Sequence, residues 1–155
     1  MKLSTKGRYA VMAMVDLCQT STGKPVALAD VAERQEISLS YLEQLFGKLR
    51  HAQLVKSVRG PGGGYLLARP ADEICISEVI LAVDEPISTT RCTKTEGCRS
   101  DNARCLTHEL WEALRDQIHN YLGSVTLAHV VDGTVPGARP RAAADPEAST
   151  TIAAE

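Results

Sequence analysis

The sequence predicts a mainly α-helical fold with one small β-hairpin. Apolar residues recur at intervals of three and four along five segments, which is the period of an α-helix. Turn-forming residues, such as those at positions 20–25, separate these segments. Two runs typical of β-strands, residues 54–59 and 65–68, flank the glycine-rich segment 60–64. These three observations set the fold class.

The first two predicted helices cover residues 3–19 and 28–35. The first should be buried on several sides, because residues 9–15 are apolar nearly all round the helix. After the second helix, a tight turn at residues 36–37 precedes the third.

The third predicted helix begins near two serines and has two different faces. Ser38 or Ser40 can cap it, and Ser40 with Glu43 fits the capping box S-x-x-E. One face is a core stripe, formed by Leu42, Leu45, Phe46 and Leu49. The opposite face carries Ser40, Tyr41, Gln44, Lys48 and His51. Two short helices, a tight turn, a third helix and a hairpin follow the order of a winged helix-turn-helix, so residues 1–84 are predicted to form a DNA-binding domain.

The charge of the chain is unevenly distributed. Residues 1–69 hold ten Lys and Arg against five Asp and Glu, a net charge of +5, whereas residues 70–155 hold seven against fourteen. A basic first half fits a polyanionic partner such as double-stranded DNA.

Side chains on the third helix and the hairpin are candidates for DNA contact. Gln44 can pair bidentately with adenine, whereas Lys48 and Arg50 can contact phosphate. The predicted hairpin, residues 54–68, would be the wing of such a domain. Near its tip, Arg59 is followed by glycines and a proline, which suits insertion into a narrow minor groove. Three successive glycines also exceed what one turn needs. The candidate DNA-binding residues are Ser38, Ser40, Tyr41, Glu43, Gln44, Lys48, Arg50, Arg59, Gly60 and Pro61.

Glu43 is unusual on such a surface, because phosphate repels a carboxylate. Two hypotheses for it carry about equal weight. Glu43 can accept a hydrogen bond from cytosine N4 and so penalise sites without a suitably placed cytosine. Alternatively, it completes the helix cap with Ser40.

The second half contains a fourth helix at residues 76–83, capped near Ser77, and a long fifth helix at residues 106–122 that stops at Gly123. An apolar stripe on the fifth helix could cover the winged domain or pair with a second copy, and we favour a two-fold homodimer bound to a palindromic operator. The stripe consists of Leu106, Leu110, Leu114, Ile118, Leu122 and Val125. Residues 106–131 are therefore predicted to form the dimerisation helix with a short C-terminal turn, and residues 132–155 a disordered tail.

Between these helices, residues 85–108 hold three cysteines and a histidine with the spacing C-x5-C-x6-C-x2-H. Thiolate and imidazole are ligands that suit iron–sulfur clusters, zinc and copper. The four residues are Cys92, Cys98, Cys105 and His108. Zinc is an alternative because Cys3His is a known structural zinc set, although its ligands usually come in shorter paired spacings. A thiol redox sensor that forms a disulfide is a third interpretation, in which His108 has no role.

Residues 2–11, 37–49 and 58–67, together with the three-cysteine, one-histidine segment, resemble the bacterial family of iron–sulfur cluster regulators of the IscR type. The resemblance covers roughly residues 1–131 and implies a homodimeric winged-helix transcription factor. It further implies a [2Fe–2S] cluster held by Cys92, Cys98, Cys105 and His108. Members of this group repress the operon for cluster biogenesis, and some regulate other promoters without the cluster. Cluster assembly or donor proteins would then be further partners.

The chain departs from that family pattern at two places. The second gap between the cysteines is six residues, where five are expected, and loop entropy makes one additional residue tolerable. Glu36 stands where the family usually has glycine, so a left-handed backbone there would cost about 1 kcal/mol.

Other classes of function are less consistent with the sequence. No run is long enough to span a membrane and no signal-peptide pattern is complete, so a cytoplasmic protein with reduced thiols is expected. An electron-transfer enzyme is disfavoured because the glycine-rich segment lacks the Lys-Ser/Thr of a phosphate-binding loop. A nitric-oxide-sensing or redox-sensing repressor of the same fold stays open as an alternative.

Overall fold

The computed structural model describes residues 4–84 and 103–138, and the statements below refer to these two ranges. The helices are α1 (Thr5–Thr20), α2 (Leu28–Gln35), α3 (Leu39–His51), α4 (Ile76–Ala82), α5 (His108–Ser124) and α6 (Leu127–Val131). Strands β1 (Val55–Val58) and β2 (Gly64–Leu67) form a two-stranded antiparallel sheet. This architecture confirms the predicted fold class.

The core is aliphatic and lies among α1, α3 and α4. The predicted stripe of α3 is fully inside it, because Leu42, Leu45, Phe46 and Leu49 are all buried. Phe46 is the one aromatic residue among the largest fully buried side chains of the described residues, and its ring meets that of Tyr65 edge-on at 5.0 Å. The low aromatic content is thus compensated by closely packed Leu, Ile, Val and Met.

The turn between α2 and α3 has the strained conformation that the sequence raised as a possibility. Glu36 ends α2 in the left-handed region, at φ 53° and ψ 40°. Its amide donates to the carbonyls of Ala32 and Glu33, which closes the helix end. A side chain with a β-carbon is unfavourable in this region by roughly 1 kcal/mol relative to glycine.

Of the two predicted caps of α3, Ser38 is confirmed, and the alternative capping box of Ser40 with Glu43 is excluded. The Oγ of Ser38 accepts a hydrogen bond from the amide of Tyr41 at 3.3 Å. Tyr41 therefore occupies the third helical position, where a capping box needs Glu or Gln. Glu43 lies two residues further along and is exposed, so its helix-capping role is removed.

The wing is fixed to the rest of the domain through the chain between α1 and α2. Val26 and Tyr65 exchange two backbone hydrogen bonds of 2.9 and 2.8 Å, which adds a third short strand segment beside β2. A β-carbon at Gly64 would lie 2.2 Å from the Val26 carbonyl oxygen, and one at Gly63 would lie 2.4 Å from that of Val58. Close backbone approach explains Gly63 and Gly64, and a left-handed φ of 72° explains Gly62. The fold itself accounts for all three glycines, so the inference that they exceed its needs is wrong.

Helix α4 begins at Ile76, as predicted, but its cap lies two residues before the predicted one. Cys75 is the N-cap residue, and its amide donates to the Glu78 carboxylate at 2.9 Å. Ser77 lies inside the helix and is buried, so the prediction that it caps the helix is wrong. The Glu78 carboxylate also accepts from Arg69 at 2.8 Å, which ties the end of the wing to α4.

Helix α5 differs from its predicted bounds at both ends. It begins at His108 instead of residue 106 and continues through Gly123 to Ser124, because helix-compatible glycine need not end a helix whose neighbours stay hydrogen-bonded. The segment after it returns to the winged domain, since Ile76 donates to the Val125 carbonyl at 2.8 Å and Leu127 donates to that of Ile74 at 3.0 Å. The predicted short C-terminal turn is helix α6, and its packing against α1 was not predicted from the sequence.

The first residues of the predicted tail contact the folded part of the molecule. Val135 packs against the core, and the Tyr121 hydroxyl donates to the Pro136 carbonyl at 3.1 Å. The remainder of that tail, residues 139–155, lies outside the described residues. Among the described helices, none is long and apolar enough to cross a lipid bilayer.

Candidate nucleic-acid interface and metal-binding segment

The polar face of α3 presents most of the predicted DNA-binding residues to solvent. Ser38, Ser40, Glu43, Gln44 and Arg50 are exposed. At the wing tip, the exposed residues are Arg59, Gly60 and Pro61. None of these side chains is needed by the core, because the buried stripe of α3 lies on its other side. The face is therefore available for an external partner.

Tyr41 differs from the other candidates because it also packs inward. It is half-buried, and its ring lies edge-on to that of Tyr9 with 6.0 Å between the centroids. Such aromatic pairs stabilise a fold beyond their burial alone. The ring of Tyr41 thus joins the start of α3 to α1.

Lys48 forms an ion pair that sequence reasoning missed. Its Nζ atom lies 2.7 Å from Oδ2 of Asp84, which follows α4. The hydrogen bond and the positive charge from Lys48 hold the pKa of Asp84 below its usual range. The two residues are 36 positions apart, so no local spacing could have indicated the contact.

A second network that the sequence did not indicate joins α1 to α2. Asp16 is 5% exposed, and its carboxylate accepts hydrogen bonds from Arg34 at 2.6 Å and from Gln35 at 2.7 Å. Burial raises the pKa of Asp16, but the hydrogen bonds from Arg34 and Gln35 and the charge of Arg34 outweigh it, so the pKa lies below its usual value. The network fixes the angle at which α2 meets α1.

Two of the four predicted metal ligands lie at the start of α5. The amide of His108 donates to the Cys105 carbonyl at 3.0 Å, so one tight turn carries both residues. His108 is 2% exposed and its Nε2 atom is buried, whereas Cys105 is half-buried. The other two predicted ligands, Cys92 and Cys98, lie outside the described residues.

The Cys105–His108 turn is suited to a soft metal centre by the chemistry of its donors. A thiol and an imidazole three residues apart at a helix start can approach one point. Within residues 4–84 and 103–138, no group of three or more His, Cys, Asp or Glu side chains is placed to hold a metal ion.

The sole tryptophan lies next to this turn. The Trp111 indole N–H donates to the Thr107 hydroxyl at 3.1 Å, and that hydroxyl lies 3.6 Å from the Cys105 sulfur. One side-chain hydroxyl thus connects the indole to a predicted ligand. Trp111 is 37% exposed, so its emission can report on changes at the turn.

Known proteins similar to this chain are transcriptional regulators. A regulator named HTH-type transcriptional regulator IscR from Photorhabdus laumondii is 57% identical over 132 residues, which cover 85% of this chain and 80% of that protein. The protein of the same name from Yersinia pseudotuberculosis is 56% identical over 132 residues, with the same coverage. These names agree with the prediction of a DNA-binding regulator that is not an enzyme.

Solved structures of regulators share the fold. IscR of T. potens superposes with a TM-score of 0.70 at 41% identity and covers 86% of this chain and 88% of its own. CymR, described as the global cysteine regulator of B. subtilis, gives a TM-score of 0.73 at 36% identity, covering 86% and 98%. The fold is thus shared by an IscR protein and by a protein described as a cysteine regulator.

The family model for Rrf2, described as an iron-dependent transcriptional regulator, matches residues 3–133. That range includes the reading helix, the wing, all four predicted metal ligands and α5. The chain belongs to the Rrf2 family of transcriptional regulators.

Proposed function

We propose that this protein is an iron–sulfur-dependent repressor of the cluster assembly operon, which senses cluster status. The observation that carries the proposal is the pairing of two features in one small fold. An exposed polar face on α3 is available for DNA, and a thiol–imidazole turn opens α5. The regulators named IscR at 56–57% identity support the assignment.

DNA recognition would use α3 in the major groove and the wing in the minor groove. Gln44 would read adenine, and Ser38, Ser40 and Arg50 would contact phosphate or base edges. Arg59 would enter the minor groove from the wing tip, where Gly60 and Pro61 leave room for the backbone. The exposure of these residues supports the assignment, and binding should weaken steeply as salt is added.

Glu43 would act as a filter on base sequence. The capping of α3 by Ser38 removes the competing explanation for this residue and leaves an exposed carboxylate on the reading face. A buried carboxylate that meets no donor in the groove is penalised, whereas one that meets cytosine N4 is not. Glu43→Ala should therefore relax base preference in a selection from random DNA.

Cys92, Cys98, Cys105 and His108 would hold a [2Fe–2S] cluster. When bound, the cluster would supply a redox-active centre whose presence reports the cellular supply of clusters. An imidazole binds a metal centre through the lone pair of a ring nitrogen, so His108 would supply the one nitrogen donor beside three thiolates. Burial of His108 supports this role, because it limits competition from water for the imidazole.

The protein would act as a homodimer through α5. Large apolar side chains are exposed on or just before this helix, and they are Leu106, Leu110, Trp111, Leu114 and Tyr121. A two-fold pairing of these faces would set two reading helices on a palindromic operator. Residues 1–84 would then read DNA while α5 joins the two copies, because Val125 and Leu127, near the end of the predicted segment 106–131, are buried in the chain's own core.

An anaerobic visible spectrum of the purified protein, with metal analysis, tests the cofactor. A coloured protein with two irons per chain, lost in Cys105→Ala together with a change in Trp111 emission, is expected. A colourless, zinc-loaded protein would contradict the proposal, because zinc has a filled d shell. Reversible loss of activity with a disulfide and no metal would favour the redox-sensing alternative.

The functional half of the test is operator binding. Cys105→Ala should change affinity for the cluster assembly promoter, with Cys18→Ala as the matched control outside the predicted ligand set. Equal affinity of loaded, unloaded and Cys105→Ala protein for all promoters would remove the sensing function.

A further inference from the structure

The ion pair between Lys48 and Asp84 links the DNA-reading helix to the end of α4. Lys48 follows Gln44 by one helical turn, so the two side chains share the polar face of α3. The Lys48 ammonium, however, is already bonded to Asp84 at 2.7 Å. A carboxylate is thus placed beside a cation that the reading face would offer to phosphate.

We propose that Asp84 is an intramolecular competitor of DNA for Lys48, which lowers the affinity of the regulator for DNA of any sequence. This inference rests on the proposed DNA-reading role of α3. A phosphate that approaches Lys48 must either displace the Asp84 carboxylate or accept its repulsion. Both outcomes weaken DNA binding. Neither depends on the base sequence, because contacts to phosphate carry no sequence information.

The backbone holds Asp84 in this position. Its amide donates to the Leu81 carbonyl at 3.1 Å, and its φ of 57° ends α4 in the left-handed region. Val83, immediately before it, is fully buried, so the end of the helix is anchored in the core. The Asp84 side chain is 77% exposed, so neither burial nor packing accounts for the position of its carboxylate beside Lys48.

A second cation also interacts with Asp84 and favours its charged form. Lys6 of α1 is close enough for its charge to lower the pKa of Asp84 further. Asp84 therefore interacts with cations from both α1 and α3 and offsets part of their positive charge. It is also the last residue of the predicted DNA-binding domain, directly before the predicted cluster-binding segment 85–108.

The test compares Asp84→Asn, Lys48→Met and the double variant in the full-length protein. Asparagine keeps the shape of the side chain and tolerates left-handed backbone, so the fold should survive. Fluorescence anisotropy with a random-sequence 30-base-pair duplex, and with a duplex that the wild type selects from a random library, gives the dissociation constants. Thermal melting of each variant verifies folding.

Asp84→Asn should tighten binding to both duplexes by about three- to tenfold and steepen the salt dependence by about one phosphate contact. In the Lys48→Met background the same change should have less than half that effect on a logarithmic scale. Asp72→Asn, which removes an exposed charge from the turn before α4, is the matched control and should change affinity less than twofold.

Two results would overturn the inference while leaving the proposed function intact. In the first, Lys48→Met weakens DNA binding relative to the wild type, but Asp84→Asn does not strengthen it. The other is an equal gain from Asp84→Asn with and without Lys48, which would show a general charge effect. Absence of DNA binding by every form would overturn both the inference and the proposed function.

Discussion

Helices α3 and α5 are similar in length but differ in how they use their apolar residues. Every large apolar side chain of the predicted α3 stripe is buried in the chain's own core. Helix α5 has His108 as its one fully buried residue and exposes four large apolar or aromatic side chains along its length: Leu110, Trp111, Leu114 and Tyr121. Helix α3 buries its apolar side chains in the core of its own chain, whereas α5 leaves apolar side chains exposed to solvent.

The difference indicates two separate tasks. A core stripe fixes the orientation of a helix, so the polar face of α3 is held in place for recognition. An exposed apolar stripe gains free energy when it is covered, which favours a second copy of α5 as its cover. Substitutions in the winged domain should therefore change the free energy of unfolding, whereas substitutions on the exposed face of α5 should change the association of two copies of the chain.

Gly64→Ala should have the largest effect on stability. The added β-carbon meets backbone atoms of Val26 that cannot rotate away, so the wing must separate from the rest of the domain. We expect a loss of about 3 kcal/mol in the free energy of unfolding, measured by urea denaturation. Gly23→Ala is the control, because it has left-handed backbone but nothing within 4 Å. Equal losses in the two variants would show that backbone strain, and not the wing contact, is responsible.

Leu110→Glu tests the other side of the comparison. Burying a charge in a two-fold helix contact should shift the monomer–dimer midpoint at least about 100-fold, as seen by analytical ultracentrifugation. The melting of the winged domain should change little, because Leu110 is 60% exposed in the single chain. Glu109→Gln, at an exposed neighbouring position, is the control. A variant that stays dimeric would exclude this face as the interface.

Asp16→Asn should destabilise the contact between α1 and α2 by about 1–3 kcal/mol, since it removes charge-assisted hydrogen bonds from Arg34. The folded-state pKa of Asp16 lies below its usual 3.8. Its contribution is therefore present above that pH and is lost as the pH falls through the folded value. Denaturation between pH 7 and pH 2 should show a steeper acid loss in the wild type than in Asp16→Asn. If stability falls equally with pH in the wild type and in Asp16→Asn, protonation of Asp16 does not cause the loss of stability in acid.

Glu36→Gly should have the smallest effect, and in the opposite direction. Glycine relieves the left-handed strain at the end of α2, and we expect a gain of up to about 1 kcal/mol, partly offset by the greater freedom of the unfolded chain. Glu33→Gly, inside α2, is the contrasting control and should destabilise. A loss in both variants would mean that the Glu36 side chain itself contributes to the turn.

The sequence predicted the elements that depend on neighbours in the chain. The apolar spacing of α3, the bounds of α2 and the order of helices and hairpin all follow from local periodicity and turn residues. The sequence also singled out Cys105 and His108 as soft donors at short spacing, and their role as ligands stays a prediction. The caps were less certain, since Ser38 and Ser40 are equally able to accept from an amide and only the actual helix start selects one.

What only the tertiary structure decided are the contacts between residues distant in sequence. Asp16 meets Arg34 across 18 positions, Lys48 meets Asp84 across 36, and Gly64 lies against the backbone of Val26. Periodicity shows which face of an element is apolar, but it gives no distance between two polar side chains on different elements. Those distances follow from how the helices pack, and the packing is set by the whole core at once.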